Sequence, residues 1–284
     1  MLRREHKLKH EEEAGVCPLL FYLEEETVML TRLTKDHIPA FTRACAYERV
    51  FGSKILTALR AYGLDDTRAL FWLLLKDDVP MAALYLTGDV LIVSACEEAD
   101  PSPIAELVKE KGVREVDTNW DQCAALRELL GGTTDSSYYM VYRGGAIAER
   151  FSDISDGRLE TVFGVLQRSH AYYRTHLTFE TWSDDLRQKR DRGLMELYQL
   201  EVDGEVVGTG CIVSEDDECG VIAAVAVVPE YRHRGLGSRI SRFLVKRILE
   251  KGKTPRLISG YDEVAELYRQ VGFETCGRWG ELYL

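Results

Sequence analysis

Val221–Leu244, VIAAVAVVPEYRHRGLGSRISRFL, is the stretch that decides how the chain is read. Ile222 to Val228 is an unbroken apolar run rich in β-branched residues, the pattern of a strand covered on both faces. Pro229 ends it, since proline has no N–H to give a ladder. Arg232-His233-Arg234-Gly235-Leu236-Gly237-Ser238 follows, and then an amphipathic helix with Ile240, Phe243, Leu244 and Ile248 on its apolar side. A strand, a glycine-bearing turn and a helix start together make an anion site, because free backbone N–H groups and the positive end of the helix dipole point at one place. Glycines at 235 and 237 let the backbone approach a phosphate, and the arginines add charge.

A plain strand-to-helix turn and a dinucleotide fingerprint are the simpler readings. The second wants G-x-G-x-x-G and an acidic residue about 20 positions on; this chain has two of those glycines, with basic residues before them. The longer string V-A-V-x-P-x-Y-R-x-x-G-L-G-S resembles the acyl-CoA motif of the GCN5-related N-acetyltransferases, the GNAT superfamily, whose Arg/Gln-x-x-Gly-x-Gly/Ala pattern is met by Arg232, Gly235 and Gly237. Downstream, A-E-L-Y-R-Q-V-G-F resembles a second family motif, aligning Leu267, Tyr268, Gly272 and Phe273. The family's usual Asn is missing, and Tyr261 stands near its place.

At 284 residues the chain suits two α/β domains. Lys and Arg number 36 against 47 Asp and Glu, a net charge of −11, which argues against a nucleic-acid binder. Seven scattered cysteines, with no C-x-x-C, point to reduced thiols in a cytoplasmic protein. The six histidines form no metal-binding spacing, so no metal is expected. No apolar run reaches the ~18 residues of a membrane span, and the start of the sequence shows no secretory signal. Residues 1–15, highly charged, are expected to be a helix or a frayed leader.

Taken in order, strands are expected at 28–33, 69–75, 81–86, 90–95, 113–117 and 138–142, with helices at 36–46, 53–62, 104–111 and 121–130. The second half repeats this order: strands near 148–151, 194–202, 206–213, 221–228, 256–259 and 280–284, and helices at 156–169, 179–192, 238–250 and 262–271. The repeat is one of architecture, not of letters. The fold class is therefore α/β (α+β): two tandem GNAT-like lobes, each a mixed, largely antiparallel sheet flanked by helices. A degenerate lobe is expected over 1–145 and an acyl-CoA-binding catalytic lobe over 146–284, joined where Gly144-Gly145 breaks the chain. In the first lobe, Cys96-Glu97-Glu98-Ala99-Asp100 offers carboxylates where anion donors belong, and Leu126-Arg127 stands where the second lobe has Leu267-Tyr268.

The resemblance implies transfer of an acetyl group from acetyl-CoA, as co-substrate, to a primary amine of a small molecule or peptide. It implies that a bulge in the motif strand frees backbone N–H groups at Val225, Ala226 and Val227 for the pantetheine arm and thioester carbonyl. It makes Arg232, His233, Arg234, Gly235, Leu236, Gly237 and Ser238 the pyrophosphate cradle, with Ser238 weighed equally as a helix cap. Tyr268 is the candidate general acid for the leaving thiolate, against a plain packing role. The base stays open between a water chain, Asp262 and Glu263. The aromatic-rich segment His170–Trp182 is expected near the acceptor. The alternative is an acyl-CoA-binding regulator that keeps the cradle and does no chemistry.

Overall fold

The computed structural model describes residues 27–260 and 262–284; the charged leader and Tyr261 lie outside them. The first half runs β1 (Val28–Arg32), α1 (Ile38–Ala44), α2 (Arg49–Tyr62), β2 (Leu70–Lys76), β3 (Val79–Thr87), β4 (Val90–Ala95), α3 (Ser102–Lys111), β5 (Glu115–Asn119), α4 (Trp120–Leu130) and β6 (Thr133–Tyr142). The second half runs β7 (Ile154–Asp156), α5 (Leu159–Ser169), α6 (Ala171–Thr175), α7 (Phe179–Asp191), β8 (Glu196–Val202), β9 (Glu205–Glu215), β10 (Cys219–Val227), α8 (Leu236–Glu250), β11 (Thr254–Ser259), α9 (Asp262–Val271) and β12 (Phe273–Tyr283). The expected two-lobe α/β repeat is present. It departs from the sequence reading in places: the chain at 148–151 is a loop, α6 is an extra short helix, and a 3₁₀ turn at Lys35–His37 precedes α1.

The twelve strands among the described residues join one sheet in the order β1-β2-β3-β4-β5-β12-β6-β11-β10-β9-β8-β7. Each strand of the first half corresponds to the strand six places later, so the order is a palindrome about the β12/β6 pair. The last strand of each lobe has crossed over: β12 pairs with β5, and β6 pairs with β11. A cut at 145/146 therefore runs through the sheet, leaving the strand that completes each lobe on the other side. Two parallel pairs, β4/β5 and β10/β11, lie at matching positions.

The core follows this plan. One cluster, with Leu200, Ile222, Leu244 and Phe273, fills the second lobe; another, with Leu84, Val93 and Leu126, fills one face of the first. A third brings Phe51 and Phe71 together with Val221, Tyr139 and Trp279, so both halves contribute to it. Close approach fixes α8 on the sheet: a Cβ at Gly210 would stand 2.7 Å from Ile240 and Leu244. The connector between the lobes is strapped to the same helix. Arg239 donates to Asp153 at 2.5 and 2.6 Å and to Glu149, and Arg242 reaches Glu149 at 2.8 Å.

Candidate functional site

The site begins where β10 parts from β11. Their parallel ladder runs only from Cys219↔Thr254 to Ile222↔Leu257, although both strands continue. On its other edge β10 pairs with β9, but the register slips between Ala223↔Cys211 and Ala226↔Thr209, leaving one extra residue on β10. Ala224 absorbs it in the left-handed region, at φ 52°. For a residue with a Cβ that conformation costs about 1–2 kcal/mol, and it is held here by the pairing on both sides. Ala224 and Val225 thus have no ladder partner, and the strand from Ala223 on faces an open wedge. The motif-strand bulge implied by the family resemblance is present.

The turn after β10 folds as the sequence requires. A 3₁₀ turn at Pro229–Tyr231 leads to His233 at φ 61° and Gly235 at φ 75°. Gly235, not Ser238, is the N-cap of α8, and Ser238 occupies the third helical position. The first α-helical bond is Arg239 N–H to the Gly235 carbonyl at 3.0 Å, so the amides of Leu236, Gly237 and Ser238 begin the helix without a partner behind them. At Gly237 a Cβ would meet only Leu267, at an ordinary 3.4 Å. Nothing in the protein itself demands a glycine there; the space it leaves belongs to the cleft.

That cleft has a volume of about 620 Å³ and is walled by Val225–Val227, by Tyr231–His233 and Gly235–Ser238, and by Leu267 and Tyr268 of α9. Of the strand, cradle and general-acid residues expected from sequence, Arg234 is the one not in the wall. Its guanidinium lies 4.7 Å over the Tyr231 ring and donates to the Glu230 carbonyl at 3.1 Å. Arg232 is in the wall but acts also as a strut, donating to the carbonyls of Val227 at 3.1 Å and Ser169 at 2.9 Å. Both acceptors are neutral, and Arg232 enters no ion pair among the described residues.

Tyr268 is buried, with its ring edge-on to Phe273 at 5.7 Å, and its hydroxyl makes no hydrogen bond among the described residues. Burial pushes its pKa up to about 12, which keeps it protonated at neutral pH. The wall also holds Ser169, Tyr231 and Val264, which have no role in the sequence reading, and His170, expected there only as part of the aromatic segment. Burial first, then Arg232 and Arg174, lower the His170 pKa and favour the neutral, proton-accepting imidazole. Other aromatics of that segment do not line the cleft: Tyr173, Phe179 and Trp182 pack on the second-lobe core. Asp262 accepts from the Tyr138 hydroxyl at 2.7 Å, while Glu263 is in the wall.

The equivalent place in the first lobe is built differently. β4 runs against β3 in unbroken register from Ala82↔Ala95 to Thr87↔Val90, with no bulge. The helix that follows, α3, is preceded by Pro101 and not by a glycine turn. The carboxylate trio Glu115, Asp117 and Glu281 lies at the β5/β12 junction, where burial raises all three pKa values.

A splayed parallel strand pair, a bulge on one of them and a helix start aimed into the wedge together shape this cleft. The Acetyltransferase (GNAT) family profile matches residues 159–273, which form a GNAT domain. An amino-acid acetyltransferase of Pseudomonas putida is 22% identical over 255 residues, covering 81% of this chain and 58% of that protein. The chain thus spans little more than half of that relative's length. Among solved structures, a GCN5-related N-acetyltransferase from Sphaerobacter thermophilus aligns at TM-score 0.60 with 17% identity, covering 89% of this chain and 94% of its own. A tandem GNAT protein from the clavulanic acid biosynthesis pathway aligns at TM-score 0.58 with 11% identity, covering 90% and 97%. At these identities the likeness is one of fold, and it extends across both lobes.

Proposed function

We propose that the chain is an N-acetyltransferase that takes its acetyl group from acetyl-CoA and delivers it to a primary amine of a small molecule or peptide. The observation that carries this is the meeting, in one cleft, of the left-handed bulge at Ala224, the Gly235 loop at the start of α8 and the buried Tyr268. Acetyl-CoA supplies the acyl group as a thioester. The amides of Leu236, Gly237 and Ser238, with Arg232 beside them, hold its pyrophosphate. The backbone at Val225, Ala226 and Val227 orients the pantetheine arm and gives N–H donors to the carbonyl oxygen as negative charge develops there. His170, neutral at pH 7, takes the proton that the attacking amine loses, and Tyr268 gives one to the departing sulfur.

Catalysis is assigned to 146–284, and 1–145 serves as a lobe without an acetyl-CoA site. Six cysteines are free among the described residues, which suits a reducing compartment such as the cytoplasm. No described helix is long and apolar enough to cross a membrane. One observation favours a second reading, an acyl-CoA-binding regulator: β10, Cys219–Val227, carries no acidic residue that would serve as a base. Release of free CoA thiol from acetyl-CoA, measured over a panel of amines headed by the free amino acids, separates the two. Amine-dependent release supports the transferase; binding of acetyl-CoA with no release across the panel supports the regulator.

A further inference from the structure

The first lobe has a larger cleft, about 810 Å³, where β4 and β5 part after Ile92↔Asp117. It is the counterpart of the acetyl-CoA cleft, yet its wall comes from both halves. The first half provides Glu48 at the start of α2 and Tyr139 of β6; the second provides Arg256 of β11 and Cys276–Arg278 of β12.

Its polar groups are unfinished. The Tyr139 side chain is 5% exposed, and its buried hydroxyl, beside the Glu48 carboxyl, makes no hydrogen bond of good geometry among the described residues. The Arg256 Nε is likewise buried and unpartnered. The other two arginines of the wall are committed: Arg49 pairs with Glu218 at 2.8 Å, and Arg278 lies 4.6 Å over Trp120 while donating to Ser136 at 2.5 Å. Arg256 enters no ion pair among the described residues, and neither does Glu48. Burial raises the Glu48 pKa to about 7, and the nearby Tyr139 hydroxyl and Arg256 guanidinium only partly oppose it. Buried donors left without a good partner cost free energy, and such groups facing a cavity call for a partner that fills it. The cleft thus gathers three under-satisfied groups, the Tyr139 hydroxyl, the Arg256 guanidinium and the Glu48 carboxyl, which lie close enough to influence one another, with Glu97 and Glu98 exposed on its rim. It lacks the glycine turn and the strand bulge that would suit a pyrophosphate.

We propose that this cleft is a second ligand site that takes a small zwitterion, its carboxylate received by Arg256 and Tyr139 and its ammonium by Glu48. Because Arg256 belongs to β11 and Tyr139 to β6, the exchanged strands bring the site together, and neither lobe holds all of it. The site is distinct from the acetyl-transfer cleft, which opens at the other end of these antiparallel strands.

Calorimetric titration of the full chain with each of the twenty standard amino acids tests this, with propionate and propylamine as single-charge controls. At least one amino acid is expected to bind with Kd below about 1 mM, and both controls at least ~10-fold more weakly. Arg256→Met and Glu48→Gln are each expected to weaken that binding at least ~10-fold while leaving acetyl-CoA affinity unchanged, which also reports that the variants fold. Glu48→Gln keeps the side chain's shape and carries the test if the Met variant fails to fold. Absence of binding by every amino acid at ~10 mM overturns the proposal. So does propionate binding as tightly as the amino acid. Binding that survives Glu48→Gln places the amino acid elsewhere, the acetyl-transfer cleft included, and equally overturns it.

Discussion

Gly237→Leu separates the fold from the cofactor. Gly237 is the second residue of α8 and its φ is not left-handed, so leucine adopts its backbone conformation freely. Its Cβ would have one neighbour, Leu267, at 3.4 Å, which is ordinary contact. Within a helix leucine is favoured over glycine by about 0.5–1 kcal/mol, so thermal stability should hold or rise. The rest of the side chain has the cleft to occupy, since Gly237 is in its wall. If it forces a phosphate off one of the first-turn amides, one charge-assisted hydrogen bond worth about 1.5–3 kcal/mol is lost. That corresponds to roughly 10- to 150-fold in Kd for acetyl-CoA. Calorimetric titration gives the affinity and differential scanning calorimetry the stability. An affinity within about twofold of the parent at unchanged stability would refute the cradle as drawn. A fall in melting temperature would show instead that the space at Gly237 is not free.

Three further outcomes follow from the same geometry. Tyr268→Phe should lower turnover by ~10²-fold in the thiol-release assay with acetyl-CoA affinity unchanged, whereas normal turnover would leave the ring a packing group against Phe273. Asp117 has its pKa raised by burial to about 6, above the ~3.9 of an unfolded chain, so the folded state holds its proton more tightly; ionisation removes stability as pH rises through that window and restores it as pH falls. Asp117→Asn should therefore stabilise by on the order of 2 kcal/mol in denaturant unfolding at pH 7.5 and by close to nothing near pH 4, and an equal effect at both would show an ordinary carboxylate there. The fragment 146–284 lacks β6, so it exposes the β11 edge from Arg256 to Ser259 and should self-associate on gel filtration; a monomeric, fully active fragment would mean the exchanged strand is dispensable.

Much of the second lobe was legible. Valine-rich β10, Pro229 and the Gly235 turn are local signals, and each falls where the chemistry of single residues puts it. The bulge was less so, because alanine has no preference for a left-handed conformation and Ala224 lies inside an even apolar run. Its presence came only by resemblance. Strand exchange had no local signal at all: no residue of β6 or β12 names its neighbour, and which one each takes is decided by how the lobes pack. The sequence reading also started β12 at 280. The strand begins at Phe273, and a register shift between Thr275 and Gly277 carries it past Cys276. The roles of Arg232 and Arg234 differ for a similar reason. Two arginines flanking one residue look alike in a string, but the left-handed turn at that residue, His233, sends one to the Ser169 carbonyl and the other onto Tyr231. The first-lobe cleft was invisible because Glu48, Tyr139 and Arg256 are scattered over both halves.

In the proposed function one lobe is furnished for acetyl-CoA and the other is not. Calorimetric titration of the full chain with acetyl-CoA measures this directly. One binding site per chain, lost on replacing Gly235 with valine at its left-handed φ of 75°, is the predicted result. Two sites per chain, none, or a single site that Gly235→Val leaves untouched would contradict it.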